Sequence, residues 1–135
     1  MTLQVELVSP ERVLLTTEAS MVVARTIGGG DIAFLTGHAS FIGALDTWTV
    51  EIVGTDGSRQ LAAVHGGFVS ITGDKVTILS DLAELAEDID TARAQAAADR
   101  VEMAGERGGA DVVDAEAIGA LSRAHARLRA AGVLV

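Results

Sequence analysis

A change of residue grammar at about position 80 constrains this chain more than any other feature. Positions 1 to 80 hold ten of the 15 glycines, the single proline (Pro10), the single tryptophan (Trp48) and all three phenylalanines, with Val, Ile and Thr in short runs. Branched and aromatic residues punctuated by turn formers are the composition of strands. From Leu82 glycine disappears until Gly105 and alanine dominates, which favours helix. Such a chain needs two modules, a sheet layer pair followed by helices. Its 135 residues, 49% of them hydrophobic, suffice for one core with an appendage.

Within the first module Leu3, Val5 and Leu7 alternate with Gln4 and Glu6, and Trp48, Val50 and Ile52 alternate with Thr47, Thr49 and Glu51, the period of strands with one buried face. In TDGS, Asp56 and Gly57 occupy the place where a two-residue hairpin wants positive φ, and Gly73 with Asp74 does the same before KVTIL. The expectation is an antiparallel β-sandwich or flattened barrel of about eight to ten strands, with a domain boundary after residue 86.

Residues 87–135 are expected to form a helical hairpin. The run AELAEDIDTARAQAAADRVEMA reads as a helix, with Asp88 as a cap near its start and Asp90 in its positive first turn. GERGGA, with Gly105, Gly108 and Gly109, interrupts it, and Asp114 then caps a second helix that runs to about Gly132. Ile118, Leu121, His125 and Leu128 make one narrow apolar stripe on the second helix. The first offers mainly Ala92, Ala96, Ala97, Val101 and Met103. An alanine methyl contributes much less on burial than the roughly 1.5 to 3 kcal/mol of a Leu or Val side chain, so the hairpin is expected to be weakly held and suited to detach.

Charge and motif content exclude several functions. A formal net charge of -9 repels the phosphate backbone that a nucleic-acid binder must neutralise. The absence of cysteine removes disulfides, thiolate metal sites and thiol nucleophiles. MTLQVELV alternates and carries Glu6, unlike a secretory signal, and no uncharged apolar stretch reaches the roughly 18 residues of a membrane span. His38, His65 and His125 lack the spacing that puts two imidazoles on one metal. No GxSxG elbow occurs, and Gly28, Gly29 and Gly30 are followed by no GK[ST], Lys75 being the only lysine. These three glycines read as a strand-to-strand turn, and no catalytic residue is expected.

Arginine is the residue type that suggests binding. Arg93 and Arg100 lie two helical turns apart on one face, Asp90 sits one turn before Arg93, and Arg123 and Arg127 share a face of the second helix with no acidic residue three or four positions away. Two such helices can form a cleft whose guanidinium groups grip a polyphosphate, a carboxylate being available for a base or sugar hydroxyl. The simpler reading stays open: Arg123, Arg127 and Arg129 approach a helix C-terminus, where positive charge is favoured by about 0.3 to 1 kcal/mol each.

Several longer strings, SPERVLLTTEA, GHASFIGAL, AVHGGFVSITGDKVTILSDLAELAEDID and IDTARA, together resemble the epsilon-subunit family of bacterial F-type ATP synthases. The likeness covers nearly the whole chain. It implies a non-catalytic central-stalk (rotor) subunit on the cytoplasmic face of the bacterial membrane, touching the membrane only through its complex, which helps couple proton flow to ATP synthesis. The sandwich is then expected to bind the gamma subunit and the c-ring. Gly30, Asp31, Gly37 and His38 match the family's c-ring-facing loop, although Thr36 replaces the proline of its PGH motif and GGGDIAFL departs from GxLGIL. The hairpin is expected to permit turnover when folded and to inhibit ATP hydrolysis when extended toward the catalytic alpha and beta subunits. IDTARA matches the family's ATP motif at Ile89, Asp90, Arg93 and Ala94, and the same resemblance carries Glu84, Arg100, Arg123 and Arg127. ATP is thus an expected regulatory ligand of the folded hairpin, with magnesium left open and no obligatory cofactor. The alternative is that the arginines serve only as an inhibitory contact to acidic segments of the catalytic subunits.

Overall fold

The computed structural model describes residues 2–108 and 115–132. Ten strands come first: β1 Leu3–Val8, β2 Val13–Ala19, β3 Met21–Thr26, β4 Gly30–Leu35, β5 Phe41–Ala44, β6 Thr47–Val53, β7 Arg59–His65, β8 Phe68–Thr72, β9 Lys75–Leu79 and β10 Ala83–Leu85. They form two five-stranded sheets, β2-β1-β9-β8-β5 and β10-β7-β6-β3-β4, and their inner faces enclose Leu3, Leu7, Phe34, Leu45, Ile71 and Ile78, each exposed by 1% or less. The sandwich expected from the alternation is present. One of its pairings is parallel rather than antiparallel, β1 against β9. Joining the N-terminal strand to the end of the module in this way brings two chain-distant strands side by side, which no local pattern encodes.

Turn chemistry differs from expectation in one respect. Gly57 and Gly73 take φ of 85° and 59°, but among the described residues none other than glycine has positive φ. Asp56 instead uses its carboxylate, which accepts from the Ser58 amide and hydroxyl at 2.9 and 2.6 Å, so a side-chain turn replaces the second left-handed residue. In the GGF segment a Cβ on Gly67 would lie 2.0 Å from the Leu79 carbonyl oxygen, and φ there is 118°. Only glycine lets β8 leave this turn against the end of β9.

The helices begin later than the alanine pattern suggests. Ala83–Leu85 is the edge strand β10, paired with β7, and a single 3-10 turn, Ala86–Asp88, follows. Helix α1 is Thr91–Gly108 and α2 is Ala115–Ala130. The cap of α1 is Asp90, not Asp88: its Oδ1 accepts the Arg93 amide at 3.1 Å, the bond of an N-cap to its third helical residue. Gly105 lies inside α1, and Gly108 is its last residue, so the helix runs further into the glycine-rich segment than expected. Gly109 and the Asp114 cap lie outside the described residues. No helix among the described residues is long and apolar enough to cross a membrane.

The hairpin lies folded on the second sheet, and α2 is the middle layer. One side of α2 presents Ala126 and Ala130 to Ala63 of β7, with Leu61 and Ile89 beside them. Its other side presents Ala124 and Leu128 to Ala94 and Ala98 of α1, with Ala97 and Leu121 at the edge. This arrangement explains the unbroken apolar run of β7: Ala62 and Val64 face the sandwich core while Ala63 faces the helix, so both faces are buried. The apolar stripe expected on α2 is only half used. Ile118 is 52% exposed, and His125 lies at the rim, 3.9 Å from Glu102 of α1. Among the described side chains of α1, Ala94 and Ala98 are buried, whereas Ala92, Ala96 and Met103 are exposed. Contact with a partner helix on one side and a sheet on the other selects a seam that periodicity alone misplaces by a residue or two.

Candidate functional site

A cleft of about 450 Å³ opens where the hairpin meets the edge of the sandwich, lined by Glu84, Asp88, Asp90, Arg93, Ala94, Ala97, Arg100 and Arg127. Four elements build it. Positions 93, 97 and 100 recur at helical spacing and give α1 one wall, with guanidinium groups at both ends and a floor of alanine. Strand β10 supplies Glu84, the turn before α1 supplies Asp88 and Asp90, and α2 supplies Arg127 from across the seam. Among the described residues neither Arg93 nor Arg100 makes an ion pair, so both remain available to an anion. Glu84 Oε1 accepts from Arg127 Nε at 2.6 Å and faces His65 Nε2 at 3.1 Å. One carboxylate oxygen therefore ties β10 to both α2 and β7.

Of the residues expected to bind ATP, Glu84, Asp90, Arg93, Arg100 and Arg127 converge on this cleft. Ile89 does not line it: its side chain packs beside Ala63, Ala126 and Ala130 and anchors the start of the hairpin. Arg123 does not line it either, yet its charge acts on His65 behind the cleft. Two further residues belong to this corner that the sequence does not assign to it. Asp88, read as a cap, lines the wall, and His65, whose side chain is 4% exposed, lies behind Glu84. Nothing in the local pattern marks His65, because its partner is 19 residues away.

Electrostatics in this corner depends on burial. Desolvation pushes the His65 pKa below that of a free imidazole, Arg127 and Arg123 add to the effect, and the bond to Glu84 opposes it. For Glu84 burial alone would favour the neutral acid, but the hydrogen bonds from Arg127 and His65 together outweigh it and the net shift is downward. The pair at neutral pH is thus a carboxylate and a neutral imidazole. The ring carries its proton on Nε2, since only that nitrogen meets the carboxylate, and Nδ1 is buried without a hydrogen-bond partner.

A second polar contact holds the same C-terminal turn of α2. The Arg129 guanidinium lies 5.0 Å from the centre of the Trp48 ring, Arg25 lies 4.1 Å from it, and Arg129 Nη1 donates to Thr49 Oγ1. Arg25 also pairs with Asp31 at 2.9 Å, so Asp31 is engaged across the β3–β4 hairpin.

The residues matched to the c-ring-facing loop do not form one patch. Gly30 and Asp31 begin β4, whereas Gly37 and His38 follow its other end. His38 packs edge-on against Phe34 with ring centres 5.1 Å apart, and the Gly37 amide donates to Asp74 Oδ1 at 3.2 Å. At about 3.3 Å per residue a six-residue strand separates the two pairs by nearly 20 Å.

The outer face of the first sheet carries a different surface. Val13, Val8, Leu79, Phe68 and Ala44 are consecutive cross-strand neighbours, one from each of its five strands. Val13, Phe68 and Leu79 are 45% to 56% exposed, and Ile42 beside them is 73% exposed.

Comparison with known proteins agrees with this architecture. Residues 2–86 match the family model described as ATP synthase, Delta/Epsilon chain, beta-sandwich domain. The ATP synthase epsilon chain of Streptomyces griseus is 43% identical over 97% of this chain and 96% of its own length. That of Streptomyces coelicolor is 40% identical over 96% and 94%, and that of Thermobifida fusca is 43% identical over 94% and 90%. Among solved structures, a chain of the Euglena gracilis mitochondrial ATP synthase, in its OSCP/F1/c-ring assembly, superposes with a TM-score of 0.78 at 20% identity, covering 96% of this chain and 81% of that one. With a sandwich matched over its full extent and relatives aligned through both helices, the chain belongs to the epsilon-chain family of ATP synthases.

Proposed function

We propose that the chain works as a central-stalk subunit of an F-type ATP synthase, held as a peripheral subunit on the cytoplasmic face of the membrane, and that its folded hairpin is a nucleotide sensor. The sandwich carries the mechanical role. Its exposed apolar row on the first sheet offers the gamma subunit a surface that water solvates poorly, and its loops meet the c-ring. The row lies on the sheet opposite the hairpin, so the hairpin is free to move while gamma stays bound.

The observation that carries the sensor is the cleft. It exists only while α1, α2 and β10 are together, and it places Arg93, Arg100 and Arg127 around one anion-sized space with Glu84, Asp88 and Asp90 beside them. Guanidinium forks suit phosphate oxygens. A carboxylate suits a base amino group or a ribose hydroxyl, and Glu84 Oε2 makes no hydrogen bond among the described residues. A ligand held by groups from three elements binds the folded hairpin better than the extended one and shifts the population toward it by that difference. ATP therefore favours the permissive state, and its depletion favours extension toward the catalytic alpha and beta subunits and inhibition of hydrolysis. In that extended state Arg93 and Arg100, without ion pairs among the described residues, meet acidic segments of those subunits.

Calorimetric titration of the chain with ATP, with and without magnesium, tests the sensor. Saturable binding that is lost in Arg93→Ala and Arg127→Ala, with assembly onto gamma unchanged, is the expected result. No heat up to millimolar ATP leaves the arginines as an inhibitory contact only.

A further inference from the structure

His65 stands outside the set of residues that would touch a nucleotide, yet it supports that set from behind. Its side chain is 4% exposed, its Nε2 lies 3.1 Å from Glu84 Oε1, and the same oxygen receives Arg127 Nε at 2.6 Å. The chain of contacts runs from the sheet (β7) through its edge strand (β10) to the second helix (α2). We propose that His65 is a positioning residue that locks Glu84 and Arg127 into the cleft, and that a proton on His65 releases the hairpin from the sheet. This inference deepens the nucleotide-sensor reading and rests on it for the ligand, but the release itself needs no ligand.

The physical argument is one of satisfied and unsatisfied groups. Neutral His65 gives its only N–H to Glu84 and leaves a buried acceptor at Nδ1, a tolerable deficit. Protonation places a second N–H on Nδ1, where the described residues provide no acceptor, and adds a positive charge facing Arg127 and Arg123 of α2. Among the described residues Glu84 of β10 is the one opposing charge that acts on the ring, and it already serves Arg127. An unsatisfied buried donor beside like charges is relieved when α2 moves away and water reaches the ring.

The direction follows from the depressed pKa of His65 in the folded state. The docked hairpin binds the proton less readily than the released one, so docking is fully supported above the ordinary imidazole pKa of about 6.5 and weakens as pH falls below it. Glu84, itself held below the usual carboxylate range, changes charge only in more acid solution. The interval from pH 7.5 to 5.5 therefore lies above the Glu84 titration, and the His65→Gln variant separates His65 from His38 and from His125 of α2, which faces Glu102.

Two readouts on the full chain, between pH 7.5 and 5.5, test the inference. The first is ATP affinity. The second, without nucleotide, is the fluorescence of Trp48, the only tryptophan, which the Arg129 guanidinium approaches only from docked α2. The wild-type chain is expected to lose affinity by up to about tenfold per pH unit below pH 6.5 and to show the Trp48 change over the same range. His65→Gln, which keeps a donor for Glu84 but cannot titrate, should retain binding and docking with a flat profile. His65→Leu should lose docking at every pH. A wild-type Trp48 profile that is flat, or a His65→Gln profile that titrates like wild type, overturns the proposal. Should His65→Leu fail to fold, the His65→Gln profile decides alone. Absence of ATP binding at every pH removes the nucleotide reading, and the Trp48 profile then decides the release.

Discussion

The sandwich core and the hairpin seam are built from the same chain by opposite means. Between the sheets the fully buried side chains are large: Phe34, Leu3, Leu7, Ile71 and Ile78. Each contributes roughly 1.5 to 3 kcal/mol, whereas each alanine methyl contributes about 0.8 kcal/mol. The hairpin meets the sheet through Ala63, Ala126 and Ala130, and its two helices meet through Ala94, Ala98 and Ala124, with Leu128 as the one large buried residue among those described. What the seam lacks in apolar area it replaces with polar clasps: Glu84 to Arg127 and His65, Arg129 to Thr49 and Trp48. Water can take over such contacts when they open, because a net hydrogen bond is worth only about 0.5 to 1.5 kcal/mol. Large aliphatic side chains have no comparable alternative. The comparison teaches that the two modules differ in which term holds them, apolar area in the sandwich and polar contacts over a thin alanine seam in the hairpin.

The largest effect that tests this contrast is Phe34→Ala. The ring is fully buried and packs against Phe41 and His38, so about 3 to 5 kcal/mol of stability should be lost, with denaturant unfolding shifting for both modules at once. Leu128→Ala comes next at about 2 to 5 kcal/mol, but its loss should fall on the hairpin alone. Amide exchange should accelerate in α1 and α2 and not in β1 or β9, and uniform acceleration would contradict the separation of the two modules. Asp90→Ala removes the cap of α1 and should cost about 1 kcal/mol, visible as fraying of its first turn, with Asp88→Ala leaving that turn intact. The smallest change is expected at Ile118, 52% exposed on α2. Ile118→Ser should stay within about 0.5 kcal/mol, and a larger loss of thermal stability would mean that the apolar stripe read from the sequence is buried after all.

Much of this was legible before any coordinates. Strand alternation in Leu3, Val5 and Leu7, and the shift to alanine after Leu82, marked both modules. The helical spacing of Arg93 and Arg100 marked a face that does line the cleft. Misreadings clustered where a second surface intervened. AEL resembles helix by composition but pairs with β7 as an edge strand, since an available sheet edge outweighs a propensity difference of a few tenths of a kcal/mol. Gly105 is tolerated inside α1, at about 1 kcal/mol relative to alanine. Ala92, Ala96 and Ile118 read as seam residues because periodicity fixes a face only to within a residue when alanine is everywhere.

By itself the sequence determined the local terms: which stretches alternate, where turns demand glycine, how many apolar side chains a core can use and which arginines share a helical face. These depend on neighbours within a few positions, so they are written in order along the chain. Tertiary structure alone decided the parallel pairing of β1 with β9, the placement of α2 between sheet and helix, and the meeting of His65, Glu84 and Arg127. Those depend on residues 19 to 71 positions apart. Their energies arise only when folding removes water from between them, and the buried histidine acquires its sensitivity to protons from that removal.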